Sequence, residues 1–370
     1  MHKKVLTAMS GGVDSSVAAY LLKTSGYEQI GAMMKLYADE ILPETCDLSN
    51  AKGCCSLADS EDARAVSEKL GIPFYVLNFT DIFADEVMER FVAAYQRGQT
   101  PNPCIDCNRF VKFQKLLGRA QELECQYIAT GHYARIEATP GGRFLLKTGQ
   151  DETKDQSYVL YAMTQSQLAR TLLPVGALTK NEVREIAEQQ GFINAQKRDS
   201  QDICFAPDGD YAGFIARFTH TPATPGNFVD VQGNVIGRHQ GLIHYTIGQR
   251  KGLGIYRPEP TFVLSLNTKD NSITVGDNHD LFTKDLTATD INLIPFDRIN
   301  TPMKVQAKIR YAHKAAAATV WQDDDDTFHV TFDEAQRAIT PGQAIVLYDG
   351  DIVIGGGTIM NKEKNKFSPC

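Results

Sequence analysis

The chain has 370 residues, of which 42% are hydrophobic and 22% charged, and its formal net charge is −7. This length is enough for roughly two or three domains with a large buried core. No stretch approaches the length of a membrane span, and Met-His-Lys-Lys leads directly into a strand signal rather than a signal-peptide core, so we expect a soluble, cytoplasmic protein without a membrane partner. Eight cysteines in such a chain indicate thiol chemistry or metal binding rather than a disulfide scaffold.

The first third of the chain alternates strand and helix signals. Between short apolar runs, apolar residues recur at helical spacing and predict helices, one of them over 109–124. This alternation predicts an α/β domain with a parallel sheet that is covered by helices on both faces. The predicted strands are Val5–Ala8, Ile30–Leu36, Phe74–Asn78 and Tyr127–Thr130.

The first strand leads into Ser10-Gly11-Gly12-Val13-Asp14-Ser15-Ser16, which opens an apolar helix. Adjacent glycines allow a tight turn that directs several N–H groups at one anion, and the helix dipole points to the same place. Because the Gly-Lys-Ser/Thr ending of a Walker A loop is missing, a loop that grips pyrophosphate fits better than a kinase or GTPase loop. Asp14 stands where a carboxylate can reach a phosphate-bound Mg²⁺.

The remaining two thirds of the chain contain two further regions with different sequence patterns. A capping box, Thr179 with Glu182, starts a helix in a middle region that also carries a glycine-rich loop with two adjacent cations, 247–254. From about Val263 onward, alternating strands and the Asp349-Gly350 hairpin turn predict a small all-β domain, most simply a barrel.

The negative net charge gives a nucleic-acid partner no support, so a binding surface would have to be local. On a predicted strand over 304–311, Lys304, Lys308 and Arg310 alternate with apolar residues. This pattern fits phosphate contact and, equally well, the solvated face of a barrel strand.

The cysteines leave their chemistry open. Cys104 and Cys107 form a C-x-x-C pair at a helix start, where the dipole favours thiolate, and Cys204 follows a polar run. The pair alone is compatible with a redox couple, half of a zinc site or cluster ligands. Cys125, at a helix end, is expected to be a buried apolar residue. Cys54 and Cys55 have no assigned role.

Several segments together resemble the tRNA-specific 2-thiouridylases over nearly the whole chain. The matching segments occur in the family's order: Ala8–Ser15, Gly98–Pro103 with Cys107-Asn108, Thr130–Tyr133, Lys154–Tyr158, Asp202–Phe205, Gly248–Gly254 and Gly355–Gly357. The resemblance implies an N-type ATP pyrophosphatase (PP-loop) domain over 1–163, to whose active site 198–208 returns. A middle tRNA-binding domain over 164–262 and a C-terminal β-barrel over 263–370 would follow.

The resemblance also implies a reaction and a set of site residues. ATP, with Mg²⁺, would adenylate the C2 oxygen of the wobble uridine of tRNA, and sulfur would displace AMP to give 2-thiouridine. Asp14 and Cys107 would be catalytic, with Cys107 the nucleophile and Cys204 the persulfide carrier. The implied ATP contacts are Ala8, Met9, Ser10, Gly11, Gly12, Val13, Asp14, Ser15, Met34 and Gly131. The implied tRNA contacts are Asn102, Pro103, Cys104, Lys154, Asp155, Gln156, Arg310 and Tyr311.

One position sets this chain apart from a branch of the family that has aspartate three residues before the nucleophile, because Cys104 stands there. Cys104, Cys107 and Cys204 could then ligate three irons of a 4Fe–4S cluster and leave one iron open for sulfur. The persulfide and cluster alternatives both stay open, and a Cys107–Cys204 disulfide fits either of them.

The implied partners are lysine, glutamate and glutamine tRNAs, bound at the anticodon, and a sulfur-donor protein such as a cysteine desulfurase or a relay protein. Two other functional classes remain as alternatives. One is a PP-loop enzyme that adenylates a small metabolite, as in amidotransferases or synthetases, and has no need of Cys107 or Cys204. The other is a tRNA-binding protein without catalysis. The sequence does not indicate an oligomeric state.

Overall fold

The computed structural model describes residues 3–37, 57–198 and 203–361. The chain forms two compact units, each built from several segments. The first unit comprises 1–88, 103–209 and 351–353, and the second comprises 89–102, 210–350 and 354–370. Cys54 and Cys55 lie outside the described residues, as do Asp199–Asp202 in the segment expected to return to the active site.

A five-stranded parallel sheet forms the centre of the first unit. Its strands are β1 Lys4–Ala8, β2 Glu28–Lys35, β3 Phe74–Asn78, β4 Tyr127–Ala129 and β7 Thr171–Leu172, in the order β3-β2-β1-β4-β7. The four predicted strands are confirmed, whereas β7 has only two residues and is too short to give a periodic signal. The strands β5 Ala134–Ala138 and β6 Phe144–Thr148 form an antiparallel hairpin outside this sheet.

Helices of the first unit pack on this sheet by the apolar faces that the sequence predicts. Val13, Val17 and Ala18 of the first helix and Ala63 and Val66 of the second are buried in one cluster. The helices are α1 Val13–Thr24, α2 Leu57–Leu70, α3 Thr80–Phe83, α5 Pro103–Asp106, α6 Leu116–Glu122, α7 Gln165–Leu168 and α8 Lys180–Gln189, with a 3₁₀ turn at Ser157–Leu160.

The helix predicted over 109–124 is present, but it starts earlier and changes pitch. Pro103 opens α5, a π-helical stretch Cys107–Lys115 follows, and α6 completes the run. Proline suits a first helical position because its missing N–H would have no intrahelical partner there. π-Helical turns occur often at functional sites, and this one begins at Cys107. A second π-helical stretch, Ala84–Glu89, precedes α4 Arg90–Gln96.

The capping box at the start of α8 forms as predicted. The Thr179 hydroxyl accepts a hydrogen bond from the Glu182 N–H at 3.3 Å, and Glu182 Oε2 accepts one from the Thr179 N–H at 2.7 Å. This helix was expected in the middle region, but α8 packs against α1 in the first unit.

The second unit contains a small mixed sheet and a closed antiparallel barrel. A helix, α9 Tyr211–Thr219, precedes the strands of the mixed sheet, which are β8 Gly226–Val229, β9 Val235–His239, β10 Phe262–Asn267 and β11 Ser272–Gly276. The barrel strands are β12 Phe282–Leu293, β13 Met303–Lys308, β14 Ala316–Gln322, β15 Phe328–Arg337, β16 Ala344–Asp349 and β17 Ile352–Ile359.

The mixed sheet has the order β10-β11-β8-β9. The barrel has the order β12-β15-β14-β13-β16-β17 and closes through a β12–β17 pairing. The predicted fold class is therefore confirmed.

The strand predicted over 304–311 was too long, because β13 ends at Lys308. Its pairing with β14 stops at Ala307 and its pairing with β16 stops at Lys308, so no ladder continues beyond that point. Arg310 and Tyr311 therefore lie in the turn before β14. Two cations of the strand interact within the unit: Lys304 Nζ lies 3.1 Å from an Asp333 carboxylate oxygen, and Lys308 Nζ lies 5.3 Å from the Tyr348 ring centroid.

Across the three described ranges, no helix combines the length and the apolar character that crossing a bilayer requires.

Candidate active site

The site is built at the carboxyl edge of the parallel sheet, at the point where the strand order reverses. The chain passes from β1 through α1 to β2 on one side, and β4 joins the other side of β1. In open α/β sheets, ligands bind beyond the strand ends at such a switch point. The loop after β1, Met34 near the end of β2 and Gly131 just after β4 all lie at this edge.

The glycine loop after β1 is held in a tight conformation. Gly11 has φ +73°, and a Cβ on it would lie 2.3 Å from the Asp59 carbonyl oxygen, so only glycine fits. The Ser10 N–H donates to Ser15 Oγ at 3.2 Å, and Ser15 Oγ donates to the Gly12 carbonyl at 3.0 Å. Gly12 caps α1 without a side chain. The amide groups at the helix start are thereby left for an anion.

Asp14, in the first turn of α1, is bound by two side chains. Lys180 Nζ lies 2.7 Å from Oδ1 and 2.9 Å from Oδ2, and the Tyr133 hydroxyl donates to Oδ1 at 2.6 Å. The Lys180 side chain is only 8% exposed. A magnesium ion at Asp14 would compete with this ammonium group for the same oxygens. The sequence does not indicate a role for Lys180, because a lysine at the first position of a helix belongs to no recognisable motif.

Gly131 packs directly on the start of α1. A Cβ on Gly131 would lie 2.7 Å from both the Asp14 carbonyl carbon and the Ser15 nitrogen. The absence of a side chain therefore lets the loop after β4 approach the glycine loop and the start of α1 closely. Met34, half-buried, lies at the end of the neighbouring strand.

Two further residues, which no sequence motif indicates, donate hydrogen bonds to the backbone of the glycine loop. Asn194 Nδ2 donates to the Gly11 carbonyl and to Ser16 Oγ, both at 2.9 Å. Lys197 Nζ donates to the same carbonyl at 3.2 Å and lies 2.7 Å from Asp59 Oδ1. Burial lowers the pKa of Lys197, but hydrogen bonds and charge from Asp59 and Asp62 outweigh it and raise the pKa.

The three candidate sulfur-handling cysteines all belong to the first unit. Cys104 is exposed in α5, Cys107 is buried at the start of the π-helical stretch, and Cys204 is half-buried. The Tyr37 hydroxyl donates to the Cys204 carbonyl at 2.9 Å. Cys125 is buried as expected, and burial raises the pKa of its thiol.

Among the described residues, Cys104, Cys107 and Cys204 do not lie close enough together to ligate one single metal ion. Within the described ranges, the one group of three ligand atoms that all lie within 4.8 Å of one another comes from the exposed residues Asp277, His279 and Asp280. An iron–sulfur cluster is larger and spreads its thiolates over several irons, so three cysteines remain a donor set of the chemical type that it requires.

The candidate tRNA contacts at 154–156 are partly occupied by internal bonds. The buried Asp155 carboxylate accepts from the Gly149 and Ser157 N–H groups and the Ser157 hydroxyl, at 2.9–3.1 Å. Gln156 Oε1 accepts from the Tyr133 N–H at 2.9 Å. Both side chains therefore stabilise the loop itself, whereas Lys154 is half-buried at its edge.

The other candidate tRNA contacts are divided between the units. Pro103, like Cys104, belongs to the first unit, and Asn102, Arg310 and Tyr311 belong to the second. Arg310 Nη2 donates to the Arg337 carbonyl at 2.7 Å and the Ala338 carbonyl at 3.1 Å, while Tyr311 is 43% exposed.

Comparison with known proteins covers almost the entire chain. Family models described as "tRNA methyl transferase HUP domain", "tRNA methyl transferase PRC-barrel domain" and "Aminomethyltransferase beta-barrel domain" match residues 3–208, 213–277 and 283–359. A tRNA-specific 2-thiouridylase MnmA of Clostridioides difficile is 52% identical over 97% of this chain and 98% of its own. One from Lachnoclostridium phytofermentans is 52% identical over 97% and 99%, and one from Clostridium acetobutylicum 50% over 97% and 100%.

The chain belongs to the tRNA-specific 2-thiouridylase family. The resemblance inferred from the motifs is thereby confirmed. The sequence motifs of the family include the glycine loop itself. Lys180, Asn194 and Lys197, which bind Asp14 and the Gly11 carbonyl, lie outside those motifs.

His132, between Gly131 and Tyr133, is a buried neutral residue of this site. Its Nδ1 lies 2.8 Å from the Thr130 hydroxyl, and its ring centroid lies 6.0 Å from that of Phe113. Burial, with a smaller contribution from the charge of Lys112, holds the pKa of His132 well below its ordinary value. The imidazole therefore adds no charge beside the loop.

Replacing Gly131 with alanine is expected to weaken ATP binding. The added Cβ must displace the start of α1, and overpacking of this kind costs about 1–3 kcal/mol, which corresponds to about 5- to 150-fold in affinity if the whole cost falls on the ATP-binding conformation. Isothermal titration with ATP measures the effect. Gly118→Ala is the matched control, because a Cβ at Gly118 meets nothing within 4 Å. Equal ATP affinity in both variants would contradict this role of Gly131.

The burial of His132 predicts acid sensitivity. A histidine whose folded pKa lies below its unfolded value of about 6.5 contributes fully above that pH, and the contribution falls by up to about 1.4 kcal/mol per unit as pH decreases. Thermal unfolding between pH 7.5 and pH 5 should therefore show a steeper loss of stability in the native protein than in His132→Asn. Parallel pH profiles would show that His132 does not contribute to the acid sensitivity.

Proposed function

We propose that this protein transfers sulfur to C2 of the wobble uridine of tRNA in an ATP-dependent reaction that yields 2-thiouridine. The observation that carries the proposal is the combination within one unit of a phosphate loop at the sheet's switch point with Cys104, Cys107 and Cys204. The names of the relatives, tRNA-specific 2-thiouridylase, support the same reaction.

The proposed chemistry has two displacements. The C2 oxygen of uridine attacks the α-phosphorus of ATP and releases pyrophosphate, and sulfur then attacks C2 and releases AMP. Adenylation is required because it converts a poor oxygen leaving group into a phosphate ester. Amide groups at the start of α1, within the segment Ala8–Ser15, bind the phosphates, because the Met9 and Ser10 N–H groups already donate to the Ala32 carbonyl and to Ser15 Oγ. Met34 and Gly131 contact the adenosine. Asp14 would bind Mg²⁺, and the Lys180 ammonium, 2.7 Å from Asp14 Oδ1, would then have to move or share the carboxylate.

Two schemes for the sulfur step remain. In the first, the outer sulfur of a Cys204 persulfide attacks C2, and AMP leaves. The Cys107 thiolate, the nucleophile at a helix start, then attacks Cys204 Sγ, which breaks the S–S bond, releases 2-thiouridine and leaves a Cys107–Cys204 disulfide that a thiol reductant must reduce before the next turnover. In the second, Cys104, Cys107 and Cys204 hold a 4Fe–4S cluster, which would supply an open iron that can bind sulfur. Cys107 is a ligand in the second scheme and cannot also attack as a thiolate.

The proposed tRNA contacts follow from what each side chain already does. Asn102, Pro103 and Cys104 contact the target base. At 154–156 we assign phosphate contact to Lys154, because Asp155 and Gln156 hold the protein's own loop. Arg310 and Tyr311 contact the RNA from the barrel. We propose lysine, glutamate and glutamine tRNAs as substrates, a sulfur-donor protein as partner and the cytoplasm as the compartment.

Other reactions fit the chain less well. Methyl transfer, which the descriptions of two family models mention, requires neither a pyrophosphate loop nor these cysteines. Adenylation of a small metabolite uses the loop but gives Cys107 and Cys204 no role, and nothing in the described residues favours it.

The test is ATP-dependent thiolation of tRNA by protein purified without oxygen, with 2-thiouridine measured by mass spectrometry of the nucleosides. Cys107→Ser and Cys204→Ser should each abolish product in either scheme. Cys125→Ser is the matched control and should retain activity, because Cys125 is buried with its Sγ directed at the Leu123 carbonyl. Thiolation that survives both catalytic-cysteine substitutions would overturn the proposal.

The same assay separates the two sulfur schemes. Activity that disappears when a chelator removes iron, and returns when the cluster is reconstituted, identifies the three cysteines as ligands. Activity that survives chelation identifies Cys107 as the nucleophile and Cys204 as the persulfide carrier.

A further inference from the structure

Tyr37, just beyond the carboxyl end of β2, is hydrogen-bonded to one of the candidate sulfur-handling cysteines. Its hydroxyl donates to the Cys204 carbonyl at 2.9 Å, although 167 positions separate the two residues in the chain. Both residues belong to the first unit. Tyr37 is only 6% exposed, so water competes little for this hydrogen bond.

The parallel sheet sets the position of Tyr37. The pairing of β2 with β3 reaches Lys35, and the Phe79 N–H donates to the Lys35 carbonyl at 2.8 Å beyond the last pair. Only Leu36, which is buried, separates Lys35 from Tyr37. The tyrosine therefore projects from a backbone that the sheet holds in place. The same strand carries Met34, the proposed adenosine contact.

Two further aromatic rings support the contact between Tyr37 and Cys204. The Tyr37 ring centroid lies 6.1 Å from that of Phe83, and the Phe83 centroid lies 5.8 Å from that of Phe205, the residue after Cys204. Phe83 and Phe205 are both buried. Close-packed interior rings resist displacement. Cys204 is therefore held at its own carbonyl by Tyr37 and through the packed ring of the next residue.

Phe83 also belongs to an element that packs against the other candidate cysteine's segment. It is the last residue of α3, and α3 packs against the π-helical stretch that begins at Cys107, within the first unit. Sulfur transfer requires Cys107 and Cys204 to act at one reacting centre in either scheme, and a small misplacement of a reacting group is costly. The contacts of α3 and Tyr37 thus bear directly on how the two cysteines are placed.

We propose that Tyr37 is a positioning residue for the sulfur-transfer step, because its hydroxyl fixes the backbone of Cys204 on the packed rings beside α3. The inference rests on the proposed function. It applies to both sulfur schemes, since the hydrogen bond is made to the main chain of Cys204 and not to its thiol. Adenylation does not use Cys204, so loss of the hydroxyl should affect the second displacement and spare the first.

The variant that tests this inference is Tyr37→Phe, which removes the hydroxyl and keeps the ring. The matched control is Tyr27→Phe, the same substitution just before the other end of β2. Tyr27 is also partly buried against another ring, because its centroid lies 6.4 Å from that of Tyr127. Tyr37→Leu, which removes the ring as well, provides a second and stronger variant. Melting temperatures establish that each variant is folded.

Two rates separate the two displacements, with a cysteine desulfurase and cysteine as the sulfur source. Pyrophosphate released in the first turnover reports adenylation, and 2-thiouridine formed reports sulfur transfer. We expect Tyr37→Phe to lower the rate of 2-thiouridine formation about tenfold, while pyrophosphate release and the KM values for ATP and tRNA stay within about twofold of the native protein. Tyr37→Leu should lose more, and Tyr27→Phe should lose nothing.

Alkylation of Cys204 provides a readout that does not depend on the reaction. In protein treated with chelator and reductant, the half-buried Cys204 should react with iodoacetamide about fivefold faster in Tyr37→Phe than in the native protein, as expected for the loss of one hydrogen bond. Labelling of the exposed Cys104 should not change. Mass spectrometry of the two peptides measures both rates in one sample.

Unchanged 2-thiouridine formation in folded Tyr37→Phe and Tyr37→Leu would overturn the inference. An equal fall in pyrophosphate release would also overturn it, because Tyr37 would then act in nucleotide binding. If the native protein itself does not thiolate tRNA, the proposed function fails instead. The labelling of Cys204 still decides in that case whether Tyr37 holds this residue, so the two failures are distinguishable.

Discussion

The tight turn at Gly11 is the constraint on which the rest of the site depends. Its positive φ and its contact with the Asp59 backbone exclude any side chain. Its carbonyl accepts hydrogen bonds from Asn194 Nδ2 and Lys197 Nζ. With that carbonyl fixed, the backbone of the loop is held in one conformation by the protein itself. On the proposed function, a phosphate would therefore meet backbone groups that are already ordered, which lowers the entropic cost of binding.

Charge in the site is balanced by local pairs. Asp14 is paired with Lys180, and Lys197 is paired with Asp59 and Asp62, while the buried His132 stays neutral. Partly buried charges are costly without such partners. On the proposed function, a nucleotide whose metal ion binds Asp14 would have to displace the Lys180 ammonium from that carboxylate. The free energy of ATP binding would then include the cost of that exchange.

Local sequence patterns were sufficient for the fold class and for most helices and strands, but not for the interleaving of the two units or for the place of α8 in the first unit. Strand runs, helical faces, the Thr179 capping box and the Asp349-Gly350 turn all correspond to elements of the structure. The failures have physical causes. β7 is too short to show a period, and β13 ends at Lys308 because its neighbours stop pairing, which alternation alone cannot reveal. In the site, the motifs mark the glycine loop and the residues beside it. Lys180, Asn194 and Lys197 bind Asp14 and the Gly11 carbonyl through tertiary contacts that no short pattern encodes.

The interleaving of the two units has a consequence for biosynthesis. The helix Arg90–Gln96 belongs to the second unit, where Phe91 packs against Tyr211 and Phe214. These partners are translated only after the roughly one hundred residues that return to the first unit, which takes about 5–20 s at typical ribosome speeds. During that interval the two rings that pack on Phe91 in the folded unit, Tyr211 and Phe214, have not yet been made. Nascent chains of this protein should therefore need protection by chaperones at one defined stage of synthesis, and a gene fragment that ends after the first family domain would never supply those two rings.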